Sequence, residues 1–198
     1  MKYSSSFTSE GWFKKEIEYI LNELHKGHSR EEIRNKIIED NIFMLKSEFT
    51  IRKRFQTVFR RADTIYPNLY KYYINGTNSD QKALLLYSFL KCYLYAYENF
   101  FEFITYKYQD KNGILRISDM NFYMEEKEQQ SKQIANWNIA TRKKINSTLL
   151  LFYRESGMIE LEKDIYIISP LYVSHTLKKY AEDQDVLLKT LITLNVGN

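Results

Sequence analysis

The run from Ala83 to Tyr106 (ALLLYSFLKCYLYAYENFFEFITY) constrains this chain more than any other feature. Its length matches that of a membrane-spanning helix, which takes about 20 residues. Lys91, Glu98, Asn99 and Glu102 interrupt it, however, and each ionisable group costs about 2.5–3.5 kcal/mol at the centre of an inserting helix. Tyrosine supplies much of the remaining bulk, and its hydroxyl favours an interface. The expectation is a long buried helix of a soluble bundle, with no membrane insertion. Tyr93, Tyr95, Tyr97, Phe100, Phe101, Phe103 and Tyr106 fall within fourteen positions and must cover every side of that helix. Such rings can stack on single-stranded bases, but most of these belong to a core. The opening MKYSSSFTSEGWFKKE has no apolar h-region, so no signal peptide is expected.

Scarce glycine and cysteine exclude whole classes of chemistry. The six glycines never come closer than sixteen positions, which leaves no P-loop and no dinucleotide fingerprint. Cys92 stands alone, so neither an intramolecular disulfide nor a Cys-x-x-Cys pair can form, and a reducing cytoplasm fits. His25 and His28 flank Gly27 at a helix end, where imidazolium favours the C-terminal dipole, and His175 is isolated. No zinc-ligand spacing results, and no cofactor or small-molecule substrate is expected. Glu125, Glu126 and Glu128 lie beside Lys127 and Lys132 and read as a solvated helix surface.

Apolar periodicity then sets the organisation. Trp12, Phe13, Ile17, Ile20, Leu21 and Leu24 share one face of a first helix over Ser9 to Leu24. Ser29-Arg30-Glu31-Glu32 is a capping box that starts a second. Ser47 caps a third, running to about Ile65, before Pro67. A short helix over Asn68 to Ile74 precedes the aromatic helix, which spans about Ser79 to Tyr108. Beyond residues 110–113 the character changes. Gly113 to Ile117 alternates like a strand, followed by helices over Ser118 to Gln130, Ser131 to Asn136 and Thr141 to Ser156, then strands Ile159 to Glu162 and Ile165 to Ile168. That order is the order of a winged helix. Helices over Leu171 to Tyr180 and Asp183 to Leu194 finish the chain. The expected fold is mainly α: an N-terminal multi-helix bundle over 1–112, and a winged-helix-like C-terminal part over 113–198 carrying a small β-hairpin, the two possible as one continuous domain.

Charge is distributed unevenly. The formal net charge is +4. Residues 46–61 carry six cations against Glu48 alone, a local +5, and residues 142–154 carry four with no acid, leaving −5 on the rest. Lys53 and Arg60 project almost opposite the apolar arc of the third helix, with Arg52, Arg54 and Arg61 flanking it. On the helix after Thr141, the residues Ile145, Thr148, Leu149 and Phe152 face inward, which turns Lys143, Lys144, Ser147 and Arg154 outward. Clustered cations on a rigid helix give salt-dependent affinity for phosphate backbones, and the first turns of a recognition helix are where base edges are met. Solvated helix faces, or faces that dock acidic partners, are the alternatives.

Five runs stand out: Tyr3-Ser4-Ser5-Ser6-Phe7-Thr8, Asn41 followed by Ser47-x-x-Thr50-x-Arg52-Lys53-Arg54, the Arg60-Arg61 pair, Asn138-Ile139-Ala140-Thr141-Arg142, and Leu149-Leu150 leading to Glu155-Ser156-Gly157-Met158-Ile159. Together they are similar to the BrxA family of BREX (bacteriophage exclusion) defence systems. The resemblance spans about residues 3 to 170. It implies a non-enzymatic, mostly helical, double-stranded-DNA-binding accessory protein working beside other BREX components, with partial similarity to a helical RNA-binding antitermination fold. It carries over no catalytic residue, only the basic stretch to Arg61 and the Thr141-Arg142 helix start. A protein–protein adaptor within the defence complex and an RNA-binding antitermination-like factor remain the other readings.

Overall fold

A computed structural model describes residues 2–110 and 112–195. Lys111, at the expected change of character, lies outside the described residues. The central element is α5 (Asn78–Cys92), where every residue from Ala83 to Leu90 is buried. Such a helix has no solvent face, so neighbours must surround it. They are α3 (Glu48–Ile65), α4 (Tyr70–Ile74), α10 (Ile139–Ser156) and α12 (Val186–Thr193), while α1 (Lys14–His25) and α2 (Arg30–Glu39) pack outside on α3.

Local signals account for the boundaries. Ser29 and Glu32 form the expected capping box on α2, and Ser47 accepts from the Thr50 amide at the start of α3. Thr77 and Asp80 make a second box on α5, and the other Asp80 oxygen accepts from the Ser174 amide at 2.7 Å. That bond ties the start of α11 (His175–Gln184) to the start of the core helix. α10 stops at Gly157, whose φ of 85° is the left-handed conformation that glycine adopts without a Cβ penalty.

Three expectations change. The first helix begins at Lys14, because Phe13 takes a left-handed backbone (φ 51°); Trp12 and Phe13 precede the helix. The aromatic helix does not run unbroken to Tyr108. Tyr93 is extended (φ −135°, ψ 113°), sending its ring between Phe7 and Phe89 while its hydroxyl donates to Glu10. The chain resumes as α6 (Leu94–Glu98), a π-helical segment (Asn99–Ile104) and α7 (Thr105–Asp110). Buried Asn99 in that segment accepts a 2.9 Å hydrogen bond from Tyr153, so the wider turn carries a polar cross-link to α10. The first C-terminal helix begins at His175, four residues later than its apolar pattern implied, because Ser174 caps it.

The C-terminal part follows the expected order: β1 (Ile114–Leu115), α8 (Ile117–Gln130), α9 (Lys132–Ala135), α10, β2 (Ile159–Glu162) and β3 (Ile165–Ile168). The sheet is antiparallel with order β1-β3-β2, pairing Ile114 with Ile167 and Leu161 with Tyr166. Lys163 makes the tight turn with a left-handed φ of 55°, without the usual Asn-Gly or Asp-Gly pair. This part shares its core with the bundle. Phe152 on α10 stacks on Phe89 of α5 with ring centroids 3.7 Å apart, and Trp12 meets the same ring edge-on.

Candidate nucleic-acid interface

The two basic stretches separate into cations that hold the protein together and cations that face solvent. Arg61 belongs wholly to the first group. Its side chain has no exposed surface, and it donates from Nη1 to the Gly11 carbonyl (2.8 Å), from Nε to Ser88 Oγ (3.1 Å) and from Nη2 to the Leu85 carbonyl (3.1 Å). The Glu10 carboxylate lies 3.7 Å away, and the guanidinium covers the Phe152 ring at 4.9 Å. Burial raises the Glu10 pKa despite Arg61 beside it, and burial lowers that of Arg61. The expected phosphate contact by Arg61 is therefore corrected: the side chain is an internal cross-link among the N-terminal segment, α3, α5 and α10.

The rest of α3 is partly committed in the same way. Arg54 lies over the Phe13 ring at 4.0 Å and pairs with Glu16 at 3.3 Å. Arg60 covers the Tyr93 ring at 4.6 Å, donates to the Tyr93 hydroxyl and approaches Glu10 at 3.6 Å, although it keeps an exposed edge. Arg52 pairs with Glu48 one turn before it. Only Lys53, among these five, is exposed without a carboxylate or aromatic partner among the described residues. The aromatic partners come from loops and other helices, so periodicity within α3 could not reveal them.

α10 divides more cleanly. Asn138 caps it, accepting from the Thr141 amide at 2.8 Å, which starts the helix at Ile139 and not at Thr141. Arg142 turns back: it donates to the Trp137 carbonyl (2.7 Å) and the Ala135 carbonyl (3.0 Å) and holds Glu128 with both terminal nitrogens, one at 2.8 Å. It clamps α8, α9 and α10, so the DNA contact expected of Arg142 at the helix start is also corrected. Lys143, Lys144, Ser147 and Arg154 are exposed, and the three cations have no carboxylate partner among the described residues. Ser147 Oγ donates to the Lys143 carbonyl at 2.9 Å. Lys143, Ser147 and Arg154 lie on one stripe, and the two cations are separated by about 16 Å at about 1.5 Å per residue.

Ile139, 72% exposed, sits one turn before Lys143 on the same helix end. A helix start placed at Thr141 missed it, although Asn138-x-x-Thr141 is itself a cap signal. On the hairpin, Glu160 and Glu162 are exposed on β2, an edge strand of the sheet. Charge there discourages edge pairing, and it leaves Lys163 as the hairpin-tip cation.

The acidic stretch on α8 is not simply solvated. Lys127 is only 4% exposed and bridges Glu98 (2.8 Å) and Glu102 (2.7 Å). His28 and His25 also find partners: His28 Nδ1 lies 3.0 Å from buried Glu23, and His25 stacks on Tyr70 at 4.4 Å. Among the described residues, no group of three His, Cys, Asp or Glu side chains is placed to hold a metal ion, and no helix is long and apolar enough to cross a membrane.

The BrxA family model matches residues 1–185. A relative described as BREX protein BrxA, from Bacillus cereus (strain H3081.97), is 27% identical over 165 residues, covering 81% of this chain and 80% of that protein. The crystal structure of an uncharacterized protein from Magnetospirillum magneticum superposes with a TM-score of 0.80 at 15% identity, covering 98% of this chain and 100% of that one, a likeness of fold. Matched across both basic stretches and the α10 cap, this chain belongs to the BrxA family.

Proposed function

We propose that this protein is a non-catalytic, double-stranded-DNA-binding component of a BREX defence system, acting in the cytoplasm through a winged helix whose recognition helix is α10. The observation that carries the reading is the exposure of Lys143, Lys144, Ser147 and Arg154 on a helix whose Arg142, Asn146, Thr148, Tyr153 and Ser156 side chains are committed internally. A major groove about 12 Å wide admits the first turns of α10 but not its whole length. Lys143, Lys144 and Ser147 then meet base edges or flanking phosphates, and Arg154, about 16 Å along the axis, meets the backbone beyond. Ile139 offers an apolar contact of the kind that thymine methyl groups accept. Lys163 approaches a phosphate from the hairpin tip, while Glu160 and Glu162 limit how closely that hairpin lies against the duplex. The α3 surface contributes Lys53 and the exposed edges of Arg52 and Arg60 as secondary anchors.

The absence of chemistry is part of the same reading. Burial pushes the Cys92 thiol up to about 11, which keeps it protonated and poorly nucleophilic near neutral pH.

Fluorescence anisotropy with a labelled duplex across a salt series tests the proposal. Phosphate contacts by Lys143, Lys144, Arg154 and Lys163 give a log–log slope of about −3.6, and a loss of about a hundredfold in affinity between about 50 and 200 mM salt. Each of Lys143→Ala and Lys144→Ala lowers that slope by about 1. Unchanged affinity in a Lys143→Glu/Lys144→Glu variant overturns the assignment of α10. Preference for single-stranded RNA in competition favours an antitermination-like factor, and association with other defence proteins without duplex binding at low salt favours an adaptor.

A further inference from the structure

On the α7/α8 face a groove of about 480 Å³ opens between two helices that the duplex-binding reading does not use. Its walls are aromatic: Phe103 and Tyr123 are buried at the base, while Phe122 (61% exposed) and Tyr106 (45% exposed) stand at the rim. Its charged lining is three carboxylates (Glu102, Asp119 and Glu126) against two lysines (Lys107 and Lys127). Lys107 is matched by Asp119 at 3.0 Å, but Lys127 serves both Glu98 and Glu102, and Glu126 has no cationic partner among the described residues. A surplus of negative charge therefore lines an aromatic slot.

The groove already takes cations from its own chain. Lys107 Nζ and Lys127 Nζ each lie 5.7 Å from a ring centroid, over Phe103 and Tyr123 respectively, within the range where an ammonium is attracted to an aromatic face. The rim pair Phe122 and Tyr106, with Glu126 beside them, repeats that combination of ring and carboxylate without an internal cation. Exposed aromatics grouped around a groove mark an interaction site more often than scattered ones do.

We infer that this groove docks a basic, apolar-flanked segment of a partner protein, with one Arg or Lys of that segment seated between Phe122, Tyr106 and Glu126. The excess of one carboxylate over the lysines favours a basic segment over phosphate in this groove. None of the exposed α10 cations lines this groove, although Asn121 and Glu125 on the same helix α8 share a separate surface pocket with Lys143.

The test is an amide-resolved NMR titration of the full chain with the peptide acetyl-Leu-Arg-Phe-Arg-Leu-amide and its Glu-for-Arg counterpart. The basic peptide shifts the resonances of Tyr106, Phe122 and Glu126, and the acidic one does not. Phe122→Ala and Glu126→Gln, both at exposed side chains, each weaken the basic peptide by about two- to fivefold, the loss expected for an exposed cation–π or ionic contact. Both variants keep the salt slope for duplex DNA, which separates failure here from failure of the DNA-binding reading. Equal response to the two peptides, shifts mapping to another surface, affinity retained in both variants, or occupation of the groove by a second copy of this chain overturns the inference.

Discussion

Replacing Arg61 by Met tests the division between structural and solvent-facing cations. Methionine keeps most of the volume beside Phe152 but removes the donors to Gly11, Ser88 and Leu85 and the charge 3.7 Å from Glu10. One Glu10 oxygen has no hydrogen-bond partner among the described atoms, and the other depends on Tyr93. Breaking a buried pair by removing one member costs about 3–5 kcal/mol, because the remaining charge is uncompensated. For a chain of this length that lowers Tm by about 6–20 °C. The cost is pH-dependent in a definite direction. A carboxyl whose folded pKa is raised weighs against the folded state increasingly as pH rises above its unfolded value, so the deficit of Arg61→Met is larger at pH 7.5 than at pH 5. Adding Glu10→Gln recovers part of it. Urea unfolding followed by circular dichroism measures the stabilities, and duplex anisotropy at 25 °C measures binding by the folded protein. A variant within about 1 kcal/mol of the parent, or one that loses duplex affinity at full stability, refutes the structural assignment.

Other substitutions probe further parts of the same division. Arg142→Ala loses the Glu128 fork and two carbonyl contacts and costs about 1–3 kcal/mol in urea unfolding; Arg142→Lys does not restore it, since one ammonium cannot span those acceptors. Glu23 is held down to about pH 2 by hydrogen bonding from Lys26, reinforced by Lys36, against the opposing effect of burial. Its stabilisation is complete above the unfolded carboxylate pKa and is lost as pH falls through about 2, so acid unfolding of Glu23→Gln shows a shallower pH dependence across that window. Native Cys92 reacts slowly with iodoacetamide at pH 8 and rapidly once unfolded in urea, as expected for a half-buried thiol that desolvation raises to about 11; equal rates contradict that placement.

Much of this architecture was legible from local pattern. Ser29 with Glu32, Ser47 before α3 and Gly157 after α10 are signals contained within a few residues, and the strand and helix periods of the C-terminal part follow side-chain geometry alone. The break at Tyr93 was not legible, because Phe7 and Glu10, which hold that ring and hydroxyl beside neighbouring Phe89, come from a distant segment of the chain.

The candidate interface divides along the same line. The sequence by itself determined how many cations lie on α3 and α10 and which way each points relative to its own helix axis, since both follow from composition and a fixed rotation per residue. Tertiary structure alone decided which of those cations are available. Arg61 and Lys143 are alike as basic helix residues, yet one meets Gly11, Leu85, Ser88 and Glu10 while the other meets solvent. A guanidinium can be buried only where several acceptors converge, and that convergence comes from chain segments no local period connects.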